Sequence, residues 1–155
     1  MTSHASWIRE TYALAVQAAQ KGNHPFGALL VKDAEIVLAA ENSVTTSGDL
    51  TRHAELNLVS RAAQELPGET IRQCTLYTST EPCVMCTGAI YWAGIPAIVF
   101  GVSAEAFGRL VKEPFEIPCR EILARGKSTI QVNGPVLEEE GLALHRRFWF
   151  FERED

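Results

Sequence analysis

The sequence has no long hydrophobic run, no excess of positive charge and no internal repeat. A transmembrane helix needs about 18 consecutive apolar residues, and no stretch of the chain approaches that length. The first residues, MTSHASWIRETY, lack the basic-then-apolar order of a secretory signal. We therefore expect a soluble, cytoplasmic protein with no membrane partner.

The charge balance argues against a nucleic-acid partner. The 14 Lys and Arg residues are outnumbered by 19 Asp and Glu residues, which gives a net charge of −5. Proteins that bind nucleic acid normally present a basic surface to the phosphates. Three arginines near the C-terminus, Arg146, Arg147 and Arg153, leave room only for a local basic patch. A small-molecule ligand is the simpler expectation.

Cysteine is scarce, and its distribution is informative. The chain has four cysteines, and two of them, Cys83 and Cys86, form a C-x-x-C pair. A cytoplasmic protein rarely holds structural disulfides, so this pair points to metal binding or redox chemistry. Cys74 and Cys119 are expected to be small buried side chains.

Hydrophobic residues make up 46% of the 155 residues, enough for one domain, residues 1–155, with a full core. Helical and strand-like patterns alternate along it, which is typical of an α/β fold around one sheet. The predicted helices are 5–21, 51–65, 83–93, 104–111 and 134–151. The predicted strands are 25–31, 34–40, 74–79, 95–101 and 128–132. The stretch 41–49 is predicted to be a loop, and 112–128 has no clear pattern.

The stretch TRHAELNLV, residues 51–59, places a histidine and a carboxylate at the start of a helix. Thr51 is a suitable N-cap, and the apolar residues that follow are spaced to face a core. Neither His53 nor Glu55 is needed to form that helix. Their spacing suits a metal ligand followed by an acid/base group.

The stretch EPCVMC, residues 81–86, supplies partners for that pair. Pro82 favours the start of a helix, and we expect Cys83 and Cys86 to lie on one face of it with their sulfurs convergent. A helix N-terminus favours the thiolate form that binds zinc. His53 would complete a His-Cys-Cys set, and three protein ligands leave a fourth position open, as in catalytic zinc sites.

Taken alone, the two motifs differ in how specifically each indicates a zinc site. H-x-E is common, and C-x-x-C also occurs in redox proteins and structural zinc sites. Their combination, on two predicted helices with a strand between them, is far more specific. Glu55 lies too close to His53 to be a second ligand, so a role in proton transfer suits it better.

These residues resemble the zinc-dependent cytidine deaminase superfamily. H-A-E followed by E-P-C-V-M-C matches its signature, and the likeness extends over residues 13–101. Within the superfamily, HPFGALLVKD, DLTRHAELNLV and CTLYTSTEPCVMCTGAIYWA look most like bacterial guanine deaminases. CTGAI followed by AGIP is similar to fungal cytosine deaminases, and bacterial tRNA adenosine deaminases share much of the same frame.

The resemblance implies a three-layer α/β/α fold with a mixed five-stranded sheet. It implies Zn²⁺ held by His53, Cys83 and Cys86, with Glu55 as the catalytic acid/base. It also implies substrate contacts from the side chain of Asn42, the backbone N–H of Ala54 and the ring of Phe26. Asn42 as a turn residue and Phe26 as a core residue remain the simpler alternatives.

The C-terminal segment, about residues 135–153, carries the aromatic run Phe148, Trp149, Phe150 and Phe151. By likeness to guanine and cytosine deaminases it is expected to form a lid, with Trp149 over the base. A helix that buries Leu144, Phe148 and Phe151 is the alternative. The superfamily usually associates, so a homodimer is expected.

The implied function is hydrolytic deamination of a free nucleobase, with guanine, giving xanthine and ammonia, as the first candidate. Cytosine or another amino-heterocycle is the alternative, tRNA adenosine is third, and a catalytically silent zinc-binding domain is fourth. One departure weakens the case for guanine. Guanine deaminases of this type carry a G-F-D-D-like segment after the fourth strand, which this chain lacks. Glu105, Glu113 and Glu116 are possible substitutes for its acidic residue.

Overall fold

The computed structural model describes residues 3–112 and 115–149 of the chain. Five strands and eight helices follow one another along these residues. In chain order the elements are α1 His4–Gln20, β1 Gly27–Lys32, β2 Glu35–Glu41, α2 Val44–Ser47, α3 Ala54–Glu65, α4 Gly68–Ile71, β3 Thr75–Thr80, α5 Val84–Ala93, β4 Ala97–Val102, α6 Ala104–Val111, α7 Cys119–Leu123, β5 Gln131–Asn133 and α8 Glu138–Trp149.

The five strands form one mixed sheet in the order β2-β1-β3-β4-β5. β1 is antiparallel to both β2 and β3, whereas β3, β4 and β5 run parallel. The register aligns Ala28, Thr78 and Phe100 in one row across the three central strands. Because β3 is the middle strand of the five, its carboxyl end lies at the centre of one sheet edge.

Helices cover both faces of the sheet, as the resemblance implies. On one face α3 and α5 pack through Leu58, Ala62 and Ile90 onto the strands. On the other face α1 packs through Ile8 and Tyr12, with the start of α8 beside it. The predicted three-layer α/β/α architecture is therefore confirmed.

The predicted elements are present, with shifted ends in most cases. The helix predicted at 104–111 has those bounds in the structure. Two expectations need correction. The stretch 41–49 contains the short helix α2, which ends at a left-handed Gly48, and the unassigned stretch 112–128 contains the short helix α7. Both helices are too short for a periodic pattern to reveal them.

Gly141 lies within α8, where sequence propensity alone disfavours glycine. A Cβ atom at this position would collide with the side chains of Val102 and Tyr12. The glycine therefore allows α8 to lie directly against the end of β4 and against α1. This close approach determines the position of α8 on the sheet.

The exposed apolar residues include Trp92, which is 84% exposed, and Leu50, which is 82% exposed. Trp92 is therefore not a core residue, and the homodimer expected from the resemblance stays a prediction. Among the described residues, no helix has both the length and the hydropathy that a membrane span requires.

His145 is the buried polar residue by which α8 joins the sheet. Its side chain is 1% exposed, and its Nε2 lies 2.8 Å from the hydroxyl of Thr80 at the end of β3. The rings of Phe26 and Phe107 pack against the imidazole, with centroids 5.3 and 4.7 Å away. Burial lowers the pKa of His145 to about 4.

This burial predicts an acid-sensitive fold. Between about pH 6.5 and pH 4 the unfolded chain binds a proton at His145 that the folded chain does not, so the free energy of unfolding falls as pH falls through this window. The slope from this group approaches about 1.4 kcal/mol per pH unit. Urea unfolding at pH 7.5, 5.5 and 4.5 should show a flatter dependence for His145→Gln than for wild type. The exposed His4→Gln variant is the control, and an unchanged slope in His145→Gln would contradict the prediction.

Candidate active site

The start of α3 places His53 and Glu55 at one edge of the sheet. His53 is the N-cap residue of the helix, with an extended backbone, and Glu55 lies in the first turn. The predicted N-cap, Thr51, is wrong. Its N–H and hydroxyl both donate to Oδ1 of Asp49, at 2.9 and 2.6 Å, which forms a turn before the helix.

The start of α5 brings the two cysteines to the same place. β3 ends at Thr80, and α5 begins at Val84, with Cys83 as its N-cap and Cys86 in its first turn. The helix predicted at 83–93 includes both cysteines, whereas the observed helix includes only Cys86. The extended backbone at Cys83 nevertheless leaves the two sulfurs convergent on His53.

The three candidate ligand atoms, Nδ1 of His53 and the two Sγ atoms, lie within 4.8 Å of one another. Nδ1 of His53 is 3.6 Å from each sulfur. Zinc bonds of about 2.3 Å to sulfur and about 2.1 Å to nitrogen, at tetrahedral angles, place N and S about 3.6 Å apart. The residues present therefore fit a zinc ion in both donor type and spacing.

The electrostatics of the trio favour a thiolate. The thiol of Cys86 and the imidazole of His53 donate hydrogen bonds to Cys83, which lowers the pKa of Cys83 to about 4. The hydrogen bond to Cys83 in turn raises the pKa of His53. The pKa of Cys86 is raised because its thiol donates a hydrogen bond to the sulfur of Cys83 and because it is buried. Since metal binding requires thiolate, the site is prepared for a cation.

Glu55 lies beside this trio and is only 5% exposed. Burial raises its pKa, and a hydrogen bond from the hydroxyl of Thr78 to Oε1, at 2.6 Å, acts in the opposite direction. The hydrogen bond fixes one carboxylate oxygen on the central strand. A buried carboxyl held this way can transfer a proton without changing its position.

A cavity of about 150 Å³ opens at this point. Drug-sized ligands occupy pockets of roughly 300–1,000 Å³, so this one suits a smaller molecule. Aromatic and aliphatic side chains form most of its wall. The lining residues are Phe26, His53, Glu55, Thr80, Glu81, Cys83, Val84, Ala104, Phe107, Gly108, Phe115, Glu116 and Ile117.

Glu116 is the acidic residue that the cavity adds beyond the predicted motifs. It lines the cavity, and its Oε2 is buried without a hydrogen-bond partner among the described residues. A buried carboxylate oxygen without a donor carries a desolvation cost that a bound N–H group would offset. Of the three candidate acids after the fourth strand, Glu105 pairs with Arg109 on the surface, and Glu113 lies outside the described residues.

The predicted substrate contacts divide into two groups. Phe26 lines the cavity together with His53, Glu55 and Cys83. Asn42 and Ala54 are buried nearby but are not among the lining residues. The Oδ1 atom of Asn42 accepts a hydrogen bond from the N–H of Val44, 3.0 Å away, as a turn residue does.

Trp149 lies behind the cavity wall. Its ring contacts Phe26 and Phe107, with centroids 6.1 and 6.0 Å apart, and these two rings face the cavity. The described end of α8 thus supports the aromatic wall from outside. Phe150, Phe151 and the acidic residues that end the chain lie outside the described residues, and the lid therefore stays a prediction.

Three site residues were missed from the sequence. Thr78 holds Glu55, Glu81 lines the cavity beside Cys83, and His145 contacts Thr80 from a distant helix. The polar residues at the carboxyl end of β3, TSTE at positions 78–81, were the available signal for the first two. No local pattern distinguishes His145 from a surface histidine of an amphipathic helix.

The chain matches a known family model. Residues 1–102 match the model described as the cytidine and deoxycytidylate deaminase zinc-binding region. This range includes all three candidate metal ligands and Glu55. It ends before the cavity wall that α6 and the segment after it provide.

Two curated relatives are similar to the chain, one of them over most of its length. The chain is 37% identical over 152 residues to a protein named "Probable cytosine deaminase" from Schizosaccharomyces pombe, which covers 93% of this chain and 91% of the relative. It is 41% identical over 99 residues to guanine deaminase from Bacillus subtilis, covering 63% of this chain and 64% of that enzyme.

Solved structures have the same fold. A guanine deaminase from Nitrosomonas europaea superposes with a TM-score of 0.76 at 24% identity, covering 96% of this chain and 85% of the other. A Bacillus subtilis guanine deaminase structure gives 0.66 at 30% identity, covering 99% and 96%. The cytidine deaminase-like architecture is thereby established for this chain.

The ligand geometry predicts which cysteines hold the metal. Cys86→Ser should reduce bound zinc from one equivalent to well below half, because thiolate is the favoured ligand. Circular dichroism should keep its helical signal, since a core of this size does not depend on metal alone. Zinc per chain is measured by elemental mass spectrometry after dialysis against a weak chelator. Cys74→Ser is the matched control, a buried cysteine outside the trio, and equal zinc in both variants would refute the assignment.

Proposed function

The chain belongs to the cytidine and deoxycytidylate deaminase family, and on that premise we propose that it hydrolytically deaminates a free nucleobase, guanine first. As a member of this family it is a zinc-dependent hydrolase that acts on C–N bonds. The observation that carries the proposal is one small cavity shared by His53, Cys83, Glu55 and Glu116.

We assign the zinc ligands to Nδ1 of His53 and to Sγ of Cys83 and of Cys86. A zinc ion bound there supplies an activated water nucleophile at neutral pH. Two features of the chain support the assignment: the 3.6 Å nitrogen–sulfur spacing and the thiolate character of Cys83. The helix N-terminus of α5 adds a favourable field for the negative sulfurs.

Glu55 is proposed to transfer the protons of the reaction. Hydrolysis of an amino-heterocycle adds water across a C=N bond and then breaks the exocyclic C–N bond, so a proton must reach first the ring nitrogen and then the departing amine. Glu55 lines the cavity, and Thr78 fixes one of its oxygens. A single carboxyl in this position can carry two protons in turn: the first from water to the ring nitrogen, and the second from the hydroxyl left on the tetrahedral carbon to the amine, which departs as ammonia.

The size and surface of the cavity favour a free base. A volume of about 150 Å³ with aromatic rings in its wall suits one flat heterocycle. The rings of Phe26 and Phe107 line the cavity, 5.6 Å apart in an edge-on arrangement. Neither the net charge of −5 nor the lining provides the basic surface that a tRNA substrate requires.

Guanine is the first candidate because of the carboxylates in the cavity. Guanine offers ring N–H donors on both of its rings in addition to its amino group, and cytosine offers one ring N–H. Glu116 has a buried oxygen without a donor, which a ring N–H of guanine would satisfy. The similarity to the guanine deaminase of Bacillus subtilis, 41% over 99 residues, supports the same choice.

Cytosine is the second candidate on a separate observation. The relative named as a probable cytosine deaminase aligns over 93% of this chain, so the alignment takes in most of what lies beyond residue 102. That later region supplies Phe107 and Glu116 to the cavity. Both bases are planar and carry an amino group on a C=N unit, so the metal site alone does not separate them.

The proposal is tested by ammonia release from the zinc-loaded protein with guanine, cytosine, adenine and adenosine as substrates. Turnover of guanine at least tenfold above cytosine is the expected result, and the reverse ratio would select the second candidate. Dipicolinate at a concentration that strips zinc should abolish turnover while the circular dichroism spectrum persists. Full zinc occupancy with no ammonia from any base would mean a silent binding domain.

Replacement of Glu55 should separate chemistry from binding. Glu55→Gln should keep one zinc per chain and a wild-type melting profile, because glutamine preserves the shape of the carboxylate. Turnover should fall by about 10²-fold to 10⁴-fold, the range for loss of a general acid/base. Glu65→Gln, at the exposed end of the same helix, is the matched control. An active Glu55→Gln enzyme would overturn the proposed mechanism.

A further inference from the structure

Glu81 lies immediately before the metal-binding corner and has no part in the chemistry proposed above. It is 8% exposed, and both of its carboxylate oxygens accept backbone hydrogen bonds from a distant part of the chain. Oε2 accepts from the N–H of Ala104, and Oε1 accepts from the N–H of Cys119, each at 2.7 Å. Hydrogen bonds to a charged acceptor are short and strong, as these two are.

These two amides mark the ends of one wall of the cavity. Ala104 is the first residue of α6 and Cys119 is the first residue of α7. We call residues 104–112 and 115–119 the wall segment. The wall segment supplies six of the lining residues: Ala104, Phe107, Gly108, Phe115, Glu116 and Ile117.

The wall segment has no strand pairing with the sheet, although Ala106 of α6 packs against Val102 of β4 and Leu142 of α8. Its described residues contain no strand, because β4 ends at Val102 and β5 begins at Gln131. A segment without ladder hydrogen bonds depends on its own contacts for a fixed position. The Glu81 carboxylate reaches both of its ends from the strand–helix junction that carries the cysteines.

We propose that Glu81 is a positioning residue that sets the place of the wall segment relative to the metal site and so determines substrate affinity. This inference rests on the proposed nucleobase substrate for its kinetic consequence. One carboxylate, two residues before Cys83, accepts hydrogen bonds from the first residues of both α6 and α7. Phe107 and Glu116 lie between these two hydrogen bonds in the chain.

Glu138 provides a matched comparison, because its carboxylate also accepts a hydrogen bond at the N-terminus of α6. Oε2 of Glu138, at the start of α8, accepts a hydrogen bond from the N–H of Ser103, 2.9 Å away. Glu138 therefore contacts the residue next to Ala104, but it does not reach Cys119 and is not among the cavity-lining residues. A merely structural role at the start of α6 would be shared by Glu81 and Glu138.

The test compares Glu81→Gln with Glu138→Gln in the zinc-loaded, full-length protein. Glutamine has one acceptor oxygen, so Glu81→Gln can keep only one of the two amide bonds. We expect unchanged zinc content, kcat within about threefold and KM raised about tenfold, the scale of one lost charge-assisted hydrogen bond. Glu138→Gln should leave KM within about twofold. A wild-type KM in Glu81→Gln, or a loss of zinc or kcat in place of a KM change, would overturn the proposal.

A measurement without substrate keeps this inference separate from the proposed function. Amide hydrogen exchange should accelerate at least about tenfold in the wall segment of Glu81→Gln and stay unchanged in α3 and α5. If wild-type protein releases no ammonia from any base, the proposed function fails and this measurement still decides the role of Glu81. Unchanged exchange in the wall segment would refute that role.

A second variant tests the proposal if Glu81→Gln does not fold. Ala104→Pro removes one of the two N–H donors and leaves the carboxylate intact. Proline is tolerated at the first helical position, and the extended backbone of Ser103 is compatible with a following proline. Faster exchange in the wall segment of Ala104→Pro supports the proposal, and wild-type exchange there counts against it.

Discussion

The packing of α3 against α5 on one face of the sheet is the contact on which the site depends. Leu58 and Ala62 of α3 and Ile90 of α5 belong to one buried cluster that also includes Leu76 and Ile98 of the sheet. This apolar contact fixes the two helices side by side, with their N-termini at the same edge. The 3.6 Å spacing between the His53 nitrogen and the cysteine sulfurs is therefore supported by hydrophobic packing further along the same two helices.

The carboxyl end of β3 organises what the helices bring together. Thr78 donates to Glu55, the hydroxyl of Thr80 lies 2.8 Å from Nε2 of His145, and Glu81 accepts from two amides of the wall segment. Three neighbouring positions thus join three separate parts of the chain to one strand end. Central parallel strands have this property, because their carboxyl ends open between helices and ligands bind there.

The sequence was sufficient for the strands, for the longer helices and for the grouping of His53, Cys83 and Cys86, and insufficient for the short helices and the cavity. Helix 104–111 followed from its local pattern, and the three candidate ligands followed from two motifs whose combination is far more specific than either motif alone. Glu81 stood inside a recognised motif, yet its role depends on amides far along the chain, which no local pattern contains. The lining position of Glu116 likewise depends on how residues without strand pairing are held. The cap of α3 was misassigned for a local reason, because Asp49 accepts hydrogen bonds from the N–H and the hydroxyl of Thr51 and His53 becomes the N-cap.

The division of the site between two stretches of chain has a consequence for how such enzymes diversify. The metal ligands and Glu55 lie within the residues that match the family model, 1–102, whereas the wall segment lies beyond them. Substitutions in the wall segment can change the shape of the cavity without disturbing the candidate metal ligands and Glu55. Inheritance of the reaction and inheritance of the preference are therefore separable. Related proteins can therefore keep the reaction and differ in substrate preference. In this chain the hydrogen bonds of Glu81 connect the two stretches.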